Sequence, residues 1–287
     1  MKYLLLVCTV LFGISLAAYN PVISSELIYM SNIAYYPLKD IRAWNCSECK
    51  KFNVTDVSLC LTQLKGFENT TRDMQGFVAY LPKNNTVIVA FRGSVDIKNW
   101  IDDFDALTMA YPKCSNCRVH VGFYQGYMDI AHEIKSQVQL ILGKYRDAQI
   151  HVTGHSLGGA MAVVAALDLK STFGKVDHLY TFGQPRVGNQ HFADYLASEI
   201  ASGYRVVHYA DIVPHVPPLD MLDYRHGGAQ IWYTEDMQTY QVCTAEDPKC
   251  MDSLPESKWS ANDHDSHTYA KLPASIFQLL GLRRNDY

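Results

Sequence analysis

Residues 150–160, IHVTGHSLGGA, organise everything else in the chain. The stretch opens as a run of β-formers and places a serine between two glycines. It then continues into small apolar residues that read as a buried helix over 157–172. A strand that hands over to a helix through Gly-x-Ser-x-Gly must turn sharply. Gly154 and Gly158 lack the Cβ atoms that would collide across such a turn, and the Ser156 hydroxyl is left standing above the sheet. The amides of the new helix N-terminus point at the same place. The context therefore predicts a nucleophile elbow. A glycine-rich helix start capped by serine is the bland alternative, and the strand before and helix after argue against it.

Outward from the elbow, strands and helices alternate. Residues 76–81 and 85–91 read as neighbouring strands with Lys83-Asn84 in the turn. Apolar residues at helical spacing (Tyr127, Ile130, Ile134, Val138, Ile141) predict a helix over 124–145. Strands follow at 148–153, 178–182 and 204–209, with another at 230–234, and helices at 188–200 and 267–280. This alternation predicts an α/β fold with a central, mostly parallel sheet flanked by helices. No repeat, low-complexity tract or linker interrupts residues 20–287, so residues 18–287 are expected to form a single domain.

The 287 residues are 48% hydrophobic and 19% charged, a globular composition, and the net charge of −4 with no long basic run speaks against nucleic acid. Residues 1–17 have one early lysine, an apolar run from Tyr3 to Leu16 and small residues at the end, the pattern of a signal peptide cleaved near Ala17 or Ala18. A spanning helix needs roughly 20 apolar residues. This run is too short and no later one is longer, so no transmembrane anchor is expected. Four N-x-S/T sequons, at Asn45, Asn53, Asn69 and Asn84, agree with export as a glycoprotein. Of the eight cysteines, Cys8 lies in the leader. Cys114–Cys117 and Cys243–Cys250 are spaced as short-loop disulfides, which leaves one of Cys46, Cys49 and Cys60 unpaired or bonded to another chain. A zinc reading of the C-x-x-C pairs lacks a histidine at finger spacing, so no metal is expected.

A serine hydroxyl needs a base to take its proton. In this class of fold an acid and then a histidine follow the serine in the chain. Asp211, in YRVVHYADIVPHVPP, sits just past a strand end, unlike Asp177, Asp194 and Asp220; the alternative is a turn aspartate capping its own backbone. Near the C-terminus, SANDHDSHTY offers His264 and His267 as the base, and spacing does not choose between them. Leu157 N–H is by position one donor to a developing oxyanion, and a second is expected where the strand stops at Arg92-Gly93-Ser94.

Taken together, FRGSVDIKNW (91–100), VHVGFYQGY (119–127), VTGHSLGGA (152–160), YTFGQPRVGN (180–189), ADIVPHVPP (210–218) and Asp263-His264 resemble the secreted class 3 lipases, the fungal-lipase-like branch of the α/β-hydrolases, over about residues 70–270. The resemblance implies the α/β-hydrolase fold, with Ser156 as nucleophile, Asp211 as triad acid, and Ser94 with Leu157 as oxyanion hole. It also implies a short helical lid from Asp96. Ile97, Trp100, Ile101 and Phe104 fall on one face of that segment; a surface helix packed on the core is the alternative. Family members read Asp-His-x-x-Tyr, whereas here Tyr269 follows His264 by five residues. Ser260-x-x-Asp-His matches the family, so the resemblance favours His264 over His267. His155 and His215 are expected to be structural or lining residues, His120 to pack beneath the loop leading to the long helix, and Trp44 and Trp259 to be packing residues or glycan-shielded surface. The implied activity is that of a secreted, monomeric serine hydrolase acting on lipid carboxylic esters at a lipid–water interface, without metal or organic cofactor. A feruloyl-type esterase, a phospholipase A1, an inactive binding protein, and a lysosomal or vacuolar destination stay open as alternatives.

Overall fold

Every residue of the strand TVIVAF (86–91) is buried, because helices cover both faces of its sheet. Val87, Val89 and Phe91 join one apolar cluster, and Ile88 and Ala90 join the other. The computed structural model describes residues 18–65, 71–102, 104–271, 273, 276, 279 and 280. Its strands are β1 Thr55–Lys65, β2 Thr71–Leu81, β3 Thr86–Phe91, β4 Thr108–Ala110, β5 Arg118–His120, β6 Gln149–His155, β7 His178–Phe182, β8 Gly188–Asn189, β9 Gly203–His208, β10 Tyr224–Arg225, β11 Ala229–Tyr233 and β12 Tyr240–Cys243. The helices are α1 Pro21–Ile33, α2 Leu38–Arg42, α3 Ile97–Asp102, α4 Val121–Lys144, α5 Leu157–Phe173, α6 Gln190–Glu199 and α7 Ser266–Tyr269.

The main sheet runs β1-β2-β3-β6-β7-β9-β11-β12. The strands from β3 to β11 are parallel, while β1, β2 and β12 add antiparallel edges. The sheet is thus parallel through its middle and antiparallel at both ends. A small second sheet, β10-β8-β5-β4, lies apart from it. Parallel order carries the C-terminal ends of β6, β7 and β9 to one edge, where α/β folds build their sites.

Several boundaries moved for local reasons. The helix expected over 188–200 begins at Gln190, because Gly188 and Asn189 form β8 and the Asn189 side chain caps α6 by accepting Phe192 N–H at 3.1 Å. The long helix starts at Val121, capped by the His120 imidazole. Asn85 takes a left-handed conformation, φ 49°, so β3 begins at Thr86. Of the helix expected over 267–280, α7 covers the start, and much of the remainder lies outside the described residues, as do the leader 1–17 and Asn69. Helix α1 had no amphipathic signature because its buried face is partly polar. Ser24, Ser25, Glu26, Ser31 and Asn32 are all buried, and the Ser31 hydroxyl meets Thr153 Oγ1 at 2.9 Å and donates to Leu27 O at 3.0 Å.

The disulfides Cys114–Cys117 and Cys243–Cys250 form, and Cys46 pairs with Cys49. Cys60 is left as a buried thiol, and burial, with Glu133 nearby, pushes its pKa up to about 12. Such a sulfur is neither nucleophilic at neutral pH nor within reach of another chain.

Glu26 is nearly fully buried and accepts Asn84 Nδ2–H at 2.8 Å. Burial raises its pKa to about 7, against the lowering pull of Lys83 and Asn84. The native state therefore holds this proton at pH values where the unfolded chain has released it. Stability is full below the ordinary glutamate range and falls as pH rises toward 7. Glu26→Gln is expected to leave the melting temperature nearly unchanged near pH 4.5 and to raise it at pH 8, where it adds stability on the order of 3 kcal/mol. Thermal melts at the two pH values check this; equal effects at both would show that Glu26 does not titrate with folding.

Candidate active site

At the end of β6 the chain turns into α5 through Ser156, whose φ of 59° and ψ of −131° are a strained combination for a residue with a Cβ. Its backbone N–H is held by Phe182 O, at the end of β7, at 2.9 Å. The glycines on either side are required by space. A Cβ on Gly154 would lie 2.7 Å from Gly159 N, and one on Gly158 would lie 2.8 Å from Phe91 C and Arg92 C. The turn therefore packs directly against the end of β3, which brings Gly93 and Ser94 to the serine. A Cβ on Gly93 would lie 2.8 Å from Ser156 Cβ and 2.7 Å from His155 O.

Asp211 follows β9 and is completely buried. A backbone bridge to Ser260, whose N–H bonds Ala210 O at 2.9 Å, pulls the 259–264 segment alongside it. The His264 Nδ1–H group lies 2.8 and 3.0 Å from the two Asp211 carboxylate oxygens. The same carboxylate accepts Val213 N–H at 2.8 Å and the Tyr269 hydroxyl at 2.5 Å. Burial alone would raise the Asp211 pKa, but His264, Tyr269 and the Val213 amide outweigh it and hold it below the ordinary aspartate value. A carboxylate that only accepts places the imidazole proton on Nδ1, so Nε2 presents its lone pair. Ser156 Oγ and His264 Nε2 are both buried and both without a hydrogen-bond partner, so no hydrogen bond joins them in this structure. Catalytic hydrogen bonds often tighten only when substrate binds. His267 is exposed and faces Glu48 at 3.9 Å, away from Asp211.

The departure at Tyr269 has a local explanation. Asp265 caps α7 by accepting His267 N–H at 3.0 Å, and this single helical turn takes up the two extra residues. The Tyr269 hydroxyl reaches Asp211 and also accepts His208 N–H at 3.1 Å. Three other contributors carried no readable signal of this role. Gly183 has φ 56°, and a Cβ there would lie 2.7 Å from Asp211 Oδ2 and 2.8 Å from His264 Nδ1. Arg186, buried, donates to His215 O and Pro217 O at 2.6 and 2.8 Å and pairs with Glu246 at 3.0 Å, fixing the loop after Asp211. Tyr35 reaches the site from beyond α1 and lines a cleft of about 370 Å³ with Ser94, Ile97, His155, Asn262 and His264. His215 stacks on Trp259 at 3.8 Å, and Trp44 Nε1–H donates to Phe52 O, both packing roles.

Helix α3 is the short segment from Asp96, whose side chain accepts Asn99 N–H at 3.1 Å. Trp100 and Phe104 pack on each other and on Phe123 of α4. His120 accepts Phe123 N–H through Nδ1 and donates through Nε2 to Asp105 O at 2.6 Å, tying the end of this segment to the cap of α4. Burial lowers the His120 pKa to about 4, so the ring is neutral at physiological pH. Val95, Leu107, Leu219, Met221 and Leu222 are exposed, and Tyr224 Oη–H···O=C Ala106 joins the segment that carries Leu107 to the one that carries the last three.

Comparison with known proteins agrees with this geometry. The family model described as Lipase (class 3) matches residues 88–221. A lipase of Rhizomucor miehei is 36% identical over 218 residues, covering 74% of this chain and 58% of that protein. Secreted mono- and diacylglycerol lipase 1 of Fusarium solani is 38% identical over 160 residues, covering 55% of this chain and 47% of the relative. The chain thus spans about half the length of the curated relatives it matches. Among solved structures, a triacylglycerol lipase described as having a serine-protease triad at its catalytic centre superposes with a TM-score of 0.73 at 33% identity, over 84% of this chain and 91% of that one. The lipase from Rhizopus microsporus var. chinensis does so with a TM-score of 0.74 at 33% identity, over 86% and 87%. An elbow serine and a buried Asp–His pair, on a sheet shared at this identity with lipases over nearly their whole solved chains, place this chain in the class 3 lipase family, with the α/β-hydrolase fold.

Proposed function

We propose that this protein is an exported, monomeric serine hydrolase that cleaves lipid carboxylic esters. The observation that carries the reading is the Asp211–His264 pair, in which a buried aspartate sets the imidazole tautomer, in a chain whose elbow holds a strained, unpartnered Ser156. Ser156 Oγ attacks the acyl carbonyl while His264 Nε2 takes its proton. Asp211 holds the ring and stabilises the imidazolium. Leu157 N–H and Ser94 receive the developing oxyanion, and the helix dipole of α5 adds to them. The proton returns to the departing alcohol, and a water molecule, activated by the same histidine, releases the acid from the acyl-enzyme.

Lipid as substrate is supported by an exposed apolar rim: Val95 and Leu107 flank α3 in the chain, and Leu219, Met221 and Leu222 lie on the segment that Tyr224 ties to Ala106. A lipid surface would cover the rim and favour an arrangement in which Trp100 and Phe104 turn outward. Export is supported by the three disulfides and by the secreted relative from Fusarium solani. Among the described residues, no helix is long and apolar enough to cross a membrane. The test is turnover of a long-chain ester across the concentration at which it forms an interface, beside a short soluble ester. A rise of about tenfold or more at that point is expected for the long chain, the size of effect that roughly 1.4 kcal/mol of differential stabilisation produces. A smooth saturation curve through it would assign the site to soluble esters such as feruloyl esters.

A further inference from the structure

Tyr35 makes contacts that the reaction as drawn does not use. Its hydroxyl lies 2.9 Å from His155 Nδ1. The other ring nitrogen, His155 Nε2, lies 2.8 Å from the backbone carbonyl of His264. A carbonyl only accepts, so Nε2 carries the hydrogen and Nδ1 must accept; the Tyr35 hydroxyl is therefore the donor to it. The Tyr35 oxygen also sits directly against Gly93, where a Cβ would overlap it. Both hydrogen-bond directions are determined. Tyr35, packed on Gly93, donates to His155, and His155 donates to the carbonyl of the residue that carries the base.

The tyrosine is itself clamped. Gln75, buried in β2, donates to Ala34 O at 2.7 Å and Tyr36 O at 3.1 Å, the carbonyls on either side of Tyr35. Its own side-chain oxygen accepts Arg92 Nη1–H at 3.0 Å, and Arg92 N–H bonds Gln75 O at 2.9 Å. The segments before Gly93 and around Tyr35 are thus fastened to one side chain. His155 is buried, and burial with His264 beside it drives its pKa well down, so the ring stays neutral and keeps its acceptor nitrogen. Burial likewise raises the Tyr35 phenol, which keeps its proton.

We infer that Tyr35 is a positioning residue that ties the Gly93-Ser94 turn, the nucleophile elbow and the histidine loop into one rigid unit, so that oxyanion donor, serine and base keep their mutual spacing through the reaction. It touches no reacting atom in this arrangement. Misplacing an oxyanion donor weakens only what forms in the transition state, so the loss falls on kcat and not on KM. Removing a direct donor costs about 10²–10³-fold. Loosening one through Tyr35 is expected to cost about 10-fold or more by the same argument.

The inference rests on the hydrolase reading, and the test separates the two. Tyr35→Phe and His155→Gln each break the Tyr35–His155 bond, while the glutamine keeps a donor for the His264 carbonyl. Rates on a soluble short-chain ester are divided by the fraction of Ser156 that reacts with a fluorophosphonate, so only folded, competent enzyme is counted. Each variant is expected to lose about 10-fold or more in kcat with KM within about twofold. The double variant should be no slower than the slower single, because both break one chain. An alkyl boronate, which forms a charged tetrahedral adduct on serine, should bind more weakly by the same factor. Incorporation of 3-fluorotyrosine at position 35, which keeps the hydroxyl, should restore kcat to within about twofold of wild type. If one variant fails to fold, the other carries the test. Wild-type kcat in a folded Tyr35→Phe or His155→Gln enzyme overturns the inference, and so does a rise in KM at unchanged kcat, which would make Tyr35 a substrate contact. A wild-type protein with no Ser156-dependent turnover would instead remove the hydrolase reading beneath it.

Discussion

Ser156→Ala is expected to lower kcat by about 10⁶-fold on any ester the protein hydrolyses, to a residual rate set by the oxyanion donors and binding alone. The size follows from the role: without Oγ no acyl-enzyme forms, and neither His264 nor the oxyanion donors have a nucleophile to assist. The variant should fold as the wild type does. Ser156 Oγ makes no hydrogen bond, and alanine has the same Cβ at the same strained φ of 59°. Steady-state kinetics on a chromogenic ester, with circular dichroism and fluorophosphonate labelling on the same preparations, checks both halves. Retained turnover in the alanine variant would move the nucleophile elsewhere and dissolve the triad reading.

Asp211→Asn should be the next most severe change, with kcat falling about 10⁴-fold. The carboxylate receives three donors, from His264, Tyr269 and Val213, and has none to give. An asparagine amide brings two hydrogens into that acceptor-only position. If its nitrogen faces His264, it donates to Nδ1 and drives the imidazole proton to Nε2, where the base must accept. If it faces Tyr269 or Val213, it meets another donor. Stability should fall as well, with a defined pH dependence. Because the folded pKa of Asp211 is depressed, its contribution is present above the ordinary aspartate pKa and is lost as pH falls through the lower native value. The asparagine variant should therefore lose most melting temperature near neutral pH and converge on wild type in acid. A rate within tenfold of wild type would show that His264 is oriented by something other than this carboxylate.

The two variants also mark how far one-dimensional reading reaches. The elbow was legible because its determinants are neighbours in the chain. The β-formers before Ser156, the glycines beside it and the small apolar helix after it each act within a few residues. Asp211 was legible for a similar reason, as an acid just past a strand end and ahead of a proline-rich loop. Helix α1 was not legible. Its buried face carries serines and Asn32, and a partner such as Thr153, 122 positions away from Ser31, that makes the burial of Ser31 tolerable cannot be read from local spacing. The short strands of the second sheet were equally silent, because two or three residues hold no period.

The local chemistry of the chain was enough for the strand–turn–helix at Ser156 and for apolar runs that require a sheet covered on both faces. Those rest on turn sterics and hydrophobic period, which neighbouring residues set among themselves. The folded arrangement set His264, which residue spacing left level with His267 and only the family resemblance favoured, against Asp211; it also paired Cys46 with Cys49, buried Cys60, and carried Tyr269 to the carboxylate across an extra turn. It also brought Tyr35 against His155, 120 positions away. These outcomes depend on which surfaces meet when the layers close. A hydrogen bond between distant residues leaves no trace in the spacing of either one.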